Sequence, residues 1–281
     1  MPGEPRSKRA TFPGEAPPDL SDRGYLSELF CSVQGEGPYV GERQVFLRTA
    51  GCSATCTWCD TIYGKVLAPR FVVHGPRPRT MRNPVPLLAA LDELLACARA
   101  HAPVRAVSVT GGEPLEQPRF VVGLAAGARR AGLRVHLETS GMHAGALERV
   151  IGEIDVVAMD IKLPSAIGTE AWEKHRTFLG VVSGAGLLAG LPDAPRVFVK
   201  VVVDDRATHE EIARAVEIVA ETDARIPLVL QPETEAFFSP RTPREEAARL
   251  AAFVAEAQRR ASLALDSVRV IPQCHKILGV R

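Results

Sequence analysis

The sequence predicts an α/β protein folded as a partial, open parallel β/α barrel. Three observations predict it. From about Glu28 onward, short β-branched runs alternate with amphipathic stretches, the pattern of βα units around a parallel sheet. Six of the runs make a parallel series with one run before it and one after, too few units for a closed eight-fold barrel. Several runs end in glycine or polar clusters (TAGC, TGGEP, ETSG, DIK and QPET), and ligands in such sheets gather at the carboxyl ends of strands.

The strand candidates are SELFCSV, QVFLRTAG, RAVSVTGG, LRVHLETSG, DVVAMDIK, RVFVKVVV, PLVLQP and VRVIPQ, rich in valine and bounded by turn residues. The helix candidates between them are PVPLLAALDELLACARA, EQPRFVVGLAAGARRAG, GALERVIGE, ATHEEIARAVEIVAETD and TPREEAARLAAFVAEAQRRA. The last two open on Thr208 and Thr242 followed by acids, an N-cap with charges that suit the helix dipole. Residues 180–195 read as a long glycine-rich loop.

The chain has 281 residues, 46% hydrophobic and 24% charged, enough for one large core. Residues 25–281 are expected to form a single domain behind a Pro-, Gly- and charge-rich disordered extension over residues 1–24. Net charge is +1, so the totals carry no broad footprint for nucleic acid or membrane. With no apolar run of spanning length and no signal-peptide core, a cytoplasmic enzyme with a small-molecule partner is expected.

Cys52, Cys56 and Cys59 fall in GCSATCTWCD, directly after a strand. A segment this short cannot place three thiols on one side of a helix, so it must wrap as a loop around what it binds. Three thiolates leave one iron of a [4Fe–4S] cluster without a protein ligand, open to a small chelator. The alternative is a Cys₃His zinc site completed by a distant histidine such as His74 or His101, although zinc sites usually present two Cys-x-x-Cys knuckles and only one exists here. Cys31 and Cys97 read as packed thiols, and Cys274, beside His275, has no spacing partner.

CSATCTWC resembles the CxxxCxΦC signature of the radical S-adenosylmethionine (SAM) superfamily, with Trp58 at the aromatic position. The resemblance implies a partial barrel of the radical SAM type, a [4Fe–4S] cluster on Cys52, Cys56 and Cys59, and SAM on the open iron beside Trp58. TGGEP resembles the glycine-rich motif that meets the methionine end of SAM. On the residues alone, its glycines let backbone approach a ligand, and Glu113 can accept from an ammonium group. ETSG and QPET lie where the superfamily holds the rest of SAM, implying contacts from Gly112, Glu113, Ser140, Gln231, Pro232, Glu233 and Thr234. By itself, a Ser or Gln at a strand end is commonly a cap.

SVQGEG, FLRTAGC and CDT resemble the family of 7-carboxy-7-deazaguanine synthases, and the resemblance runs over about residues 26–281. Such enzymes contract 6-carboxy-5,6,7,8-tetrahydropterin to 7-carboxy-7-deazaguanine and release ammonia, on the path to queuosine and related deazapurines. The resemblance implies that Val33, Gln34, Gly35 and Thr110 line the pterin, that Arg48 takes its carboxylate, and that Thr61 binds Mg²⁺ together with substrate. It also implies a homodimer, a flavodoxin- or ferredoxin-type reductant, and a pterin contact from the main-chain carboxylate of Arg281, whose side chain should matter little. Glu36 suits either the pterin or a turn cap. The apolar ILGV before Arg281 is expected to dock on the core. A glycyl-radical activating enzyme is the rival within the superfamily, and a zinc-binding interaction protein the rival outside it.

Overall fold

The computed structural model describes residues 20, 22–75, 77–189 and 196–281. The chain enters through β1 (Arg23–Gly24), β2 (Leu26–Val33) and β3 (Arg43–Thr49), then β4 (Arg70–Val73), β5 (Arg79–Arg82) and β6 (Val85–Pro86). Alternation begins with α1 (Leu87–Ala100) and β7 (Ala106–Gly111), then α2 (Pro118–Arg130), β8 (Arg134–Thr139), α3 (Ala144–Val150) and β9 (Val156–Asp160). It continues through α4 (Pro164–Ile167), α5 (Trp172–Gly184), β10 (Val197–Val203), α6 (His209–Thr222) and β11 (Leu228–Pro232). The chain closes with α7 (Thr234–Phe238), α8 (Arg244–Ala261), β12 (Val268–Val270) and α9 (Cys274–Ile277).

Ten strands form one sheet in the order β12-β11-β10-β9-β8-β7-β3-β2-β4-β5. Neighbours are parallel from β3 through β12, β2 runs antiparallel to β3, and the β4–β5 hairpin extends that edge. The sheet is open, as expected. It is longer than the sequence indicated, because β4 and β5 are short, arginine-bearing strands set among prolines and glycines.

Pleat alternation sorts the side chains into two environments. One face of β7 to β10, with Val107, Val135, Leu137, Val157, Val199 and Val201, packs against Leu94, Phe120, Leu124, Phe178 and Ile218 of the helices. The other face carries a small apolar floor of Val156, Phe198 and Val229 with Tyr39. Further along the same strands, two residues on for Lys200 and Gln231 and four for Asp160, that face bears polar groups. Alternation therefore turns polar groups inward at the carboxyl ends, where the loops converge.

Several expectations need correction. Arg23 and Gly24 pair with Pro86 and Val85, so part of the stretch expected to be disordered is a strand; residues 1–19 and 21 lie outside the described residues. The segment read as a glycine-rich loop is helical at its start, because α5 reaches Gly184; residues 190–195 lie outside the described set. Thr177, Gly180 and Gly184 hid this helix, but His175, Phe178, Leu179 and Val182 form its buried stripe. Thr208 caps α6 in a reciprocal capping box with Glu211. Thr242 does not cap α8, whose first turn follows Pro243 without a side-chain cap.

Two histidines are buried uncharged. Burial drives His136 down to about 3 and His175 to about 4. His175 Nδ1 lies 3.2 Å from the Gly141 carbonyl while Nε2 accepts the Lys162 amide at 3.1 Å, which ties the β8 and β9 ends together. Below about pH 6.5 the unfolded chain binds protons that these rings refuse, so stability is full above that pH and falls on acidification. Each ring should contribute a slope of roughly 1.4 kcal/mol per pH unit between its unfolded and folded values. Denaturant midpoints between pH 7 and 5 test this, and a flat profile would refute it.

Candidate active site

The functional side chains meet in a cavity at the carboxyl ends of the strands. Cys52, Cys56 and Cys59 line it, with Trp58 and Thr61 from the same loop. The loop is pinned from outside: Lys65 Nζ donates to the Ala54 carbonyl at 2.8 Å, Thr55 Oγ1 to the Ile167 carbonyl at 2.8 Å, and the Thr57 amide to the Ala166 carbonyl at 3.0 Å. Arg206, braced by Asp204, reaches Thr57 Oγ1. Burial pushes the Cys52 thiol up to about 12, with the Glu113 charge adding to it, and burial likewise raises Cys56. Such thiols become thiolates through the metal they bind.

The donor set fits an iron–sulfur cluster. Neither histidine considered for a zinc site lines the cavity: His74 bonds Glu28, and His101 Nδ1 meets the Cys97 carbonyl at 3.0 Å. Cys97 is buried and Cys31 half-buried, as packed thiols are.

SAM would need a cradle beside the thiols, and some of the residues expected to form it line the cavity. Thr110, Gly111, Gly112, Ser140 and Gln231 line the cavity, and Gln231 Oε1 is buried without a partner among the described residues. A Cβ on Gly112 would stand 2.0 Å from the Gly51 carbonyl oxygen, so close backbone packing alone already demands glycine there. Glu113 departs from the expectation. Its Oε1 accepts from Thr139 Oγ1 at 2.7 Å and from the Leu115 amide at 3.1 Å, and its Oε2 accepts the Ser140 amide at 2.8 Å together with the Ser140 hydroxyl. With its acceptor sites filled and the residue 1% exposed, Glu113 clamps two loops rather than facing an ammonium group. Pro232, Glu233 and Thr234 are also off the lining: Glu233 caps α7 through the Ala236 amide, and Thr234 Oγ1 donates to Gln273.

The same lining holds Val33, Gln34, Gly35, Arg48, Thr110 and Arg281. Gln34 Nε2 and Thr110 Oγ1 donate to the two oxygens of Glu138, at 2.9 and 2.8 Å. A Cβ on Gly35 would lie 2.2 Å from His275 Nδ1, so glycine here admits the C-terminal segment. Glu36 is no turn cap: its carboxylate binds Lys200 Nζ and accepts from Gln273 Nε2 at 3.0 Å. Lys200 and Gln273 hold the Glu36 carboxyl far below its ordinary value against the pull of burial. Thr61 sits at the start of a 3₁₀ turn without capping it through its side chain, and its hydroxyl lies 3.8 Å from Cys59 Sγ.

Reasoning from sequence missed Glu138, Asp160, Lys162, Lys200, Gln273 and His275, all on the lining. Lys200 had a signal, a lone lysine inside the apolar run VFVKVVV, and Asp160 and Lys162 had the DIK strand end. Lys162 Nζ pairs with Asp160 at 2.8 Å and lies 4.3 Å from the Trp58 ring centroid. The ILGV segment does not dock on the core: Ile277, Leu278 and Val280 are 59%, 64% and 42% exposed. Polar contacts hold the C-terminus instead, including the Cys274 amide on the Gly35 carbonyl (2.9 Å), Lys276 on Asp60 (2.8 Å) and Ser32 Oγ on the Arg281 carbonyl (2.7 Å).

Three cysteines on a pinned loop, opening on a shared cavity at the strand ends of an open parallel barrel, define the site of a radical SAM enzyme. A family model described as the Radical SAM superfamily matches residues 46–182. The 7-carboxy-7-deazaguanine synthase of Geobacter sulfurreducens is 38% identical over 261 residues, covering 90% of this chain and 96% of that protein. The enzyme of the same name from Methanothermobacter thermautotrophicus is 30% identical over 272 residues, covering 92% and 98%. The crystal structure of QueE from Escherichia coli shares the fold at a TM-score of 0.52 and 20% identity, covering 90% of this chain and 95% of its own. The chain belongs to the 7-carboxy-7-deazaguanine synthase family.

Proposed function

We infer that this chain is a radical SAM lyase that contracts the ring of 6-carboxy-5,6,7,8-tetrahydropterin to 7-carboxy-7-deazaguanine with loss of ammonia, in deazapurine biosynthesis. Family membership supports the reading. The observation in this chain that carries it is one cavity lined both by the three cysteine thiols and by Arg48, Gln34 and Thr110. When bound, the cluster and SAM supply the radical that removes a pterin hydrogen.

The chain's own residues supply geometry and charge. Arg48 gives Nε to Glu28 at 3.0 Å and has no other hydrogen-bond partner among the described residues, leaving its two terminal nitrogens for the pterin carboxylate. Gln34 and Thr110, oriented by Glu138, offer an amide and a hydroxyl to the heterocycle. Trp58, Gly112, Ser140 and Gln231 surround SAM. Thr61 contributes one ligand to Mg²⁺ that substrate oxygens and water complete. A flavodoxin- or ferredoxin-type donor reduces the cluster. The working unit is a cytoplasmic homodimer of one domain that takes in Arg23 and Gly24 besides the 25–281 span expected from the sequence.

Anaerobic incubation of the iron-reconstituted chain with SAM, dithionite, Mg²⁺ and the carboxytetrahydropterin should yield 7-carboxy-7-deazaguanine by mass, and its absence would overturn the reading. Arg48→Lys should raise KM for the pterin by about tenfold or more, because an ammonium cannot reproduce the two-pronged fork. SAM affinity should hold. Unchanged KM would remove Arg48 from the carboxylate site.

A further inference from the structure

Glu28 is 5% exposed and does not line the cavity, yet donors from four separate stretches of chain end on its carboxylate. Arg48 Nε (3.0 Å) and the Tyr63 hydroxyl (2.7 Å) donate to Oε1, while His74 Nε2 (3.0 Å) and Arg281 Nη1 (2.9 Å) meet Oε2. The acceptor positions of the carboxylate are thereby filled. Burial pulls this carboxyl upward, but the Tyr63 hydroxyl and the Arg48 and Arg281 charges outweigh it and hold the group below its ordinary range.

Two of the four donors, Arg48 and Arg281, themselves line the cavity. Neither guanidinium has a hydrogen-bond partner other than Glu28 among the described residues, so each spends one N–H on the anchor and keeps a free edge. Two guanidiniums against one carboxylate leave a positive charge in excess even with His74 neutral. Of the nearby acids, Glu36 pairs with Lys200 and Asp60 with Lys276, while Glu138 accepts from the neutral donors Gln34, Ser108 and Thr110 and acts on Arg48 only through its charge, without a hydrogen bond to either guanidinium. What the free N–H edges of the two arms lack is an acceptor in hydrogen-bond contact, and a carboxylate matches such a fork.

We propose that Arg48 and Arg281 form a two-armed clamp for the substrate carboxylate, and that Glu28 is the positioning residue that holds both arms. The inference rests on the pterin reading above and gives the Arg281 side chain a role where the sequence implied that it would matter little. It also couples the C-terminal segment to substrate: with Glu28 as the shared anchor, the β2–β3 pair and the chain end present one binding surface.

The test uses reconstituted holoenzyme carrying Arg281→Ala, Arg281→Lys or Glu28→Gln. KM is measured for the carboxytetrahydropterin, and an inhibition constant for tetrahydropterin lacking the carboxylate. Arg281→Ala and Glu28→Gln should each raise KM about tenfold, the scale of one charge-assisted pair. The effect should fall on KM rather than kcat, the inhibition constant should not move, and Arg281→Lys should recover part of the loss. The Arg281 side chain is 56% exposed, so its variants fold even where Glu28→Gln does not. A wild-type KM in Arg281→Ala overturns the clamp, and so does an equal loss for both pterins, which would mark a structural role. A wild-type enzyme that binds both pterins equally removes instead the carboxylate reading on which the clamp depends.

Discussion

Cys56→Ala should lose its iron and all reductive cleavage of SAM, whereas Cys97→Ala should keep both. Each of the three thiols of the pinned loop would hold a different iron of the cluster, so losing one would leave a second iron without a protein ligand and destabilise the cluster. Lys65, Thr55, Thr57 and Arg206 hold the loop through main-chain and hydroxyl contacts that Cys56→Ala leaves in place. The variant should therefore fold and fail only at the metal. Cys97 lies on the helix side of the sheet, packed in the main apolar core, and acts there as a small hydrophobe. Iron and sulfide content after anaerobic reconstitution, with 5′-deoxyadenosine formation, measures the outcome. Full iron and normal cleavage in Cys56→Ala would refute the assignment.

Lys200→Met should cost about 3–5 kcal/mol of stability, the scale for removing one partner of a buried ion pair. Lys200 Nζ binds Glu36 and lies 3.6 Å from Asp160 Oδ2, with side-chain exposures of only 14%, 17% and 11%. Methionine fills the volume but leaves the Glu36 carboxylate short of its main counter-charge. The sign of the pH dependence follows. In the wild type Glu36 is held below its unfolded value, so its contribution is present above that value and is lost only at strong acidity. In the variant, burial is opposed only by His275 and the Gln273 hydrogen bond and raises the carboxyl relative to the wild type, so the penalty should shrink as pH falls and the group protonates. Thermal midpoints of the two proteins should converge between pH 8 and 5. A constant gap would show that the loss is packing rather than charge.

Much of this was legible in the chain itself. The cysteine spacing pointed to a metal group, because three thiols so close in sequence can converge on one centre from a single loop. The valine runs specified a parallel sheet, since only strands buried on both faces are so uniformly apolar. Motifs at strand ends located the cavity, because the carboxyl ends of parallel strands converge whatever joins them. Where local propensity was weak, the reading failed: α5 lay hidden behind glycines, and β4 and β5 were too short to show a period.

What only the tertiary structure decided is which polar groups remain free for a ligand. Glu113 lies in a motif that suggests SAM, yet Thr139 and Ser140 from the neighbouring strand end consume its carboxylate. Arg48 keeps its fork because antiparallel register sets Glu28 beside it to take Nε alone. Glu36 faces Lys200, 164 positions away, and Gln273, 237 away. A side chain's type and neighbours in sequence state what it can bind. Whether it is free to bind depends on donors and acceptors that strand register and a returning C-terminus bring within about 3 Å, and that distance is a property of the fold.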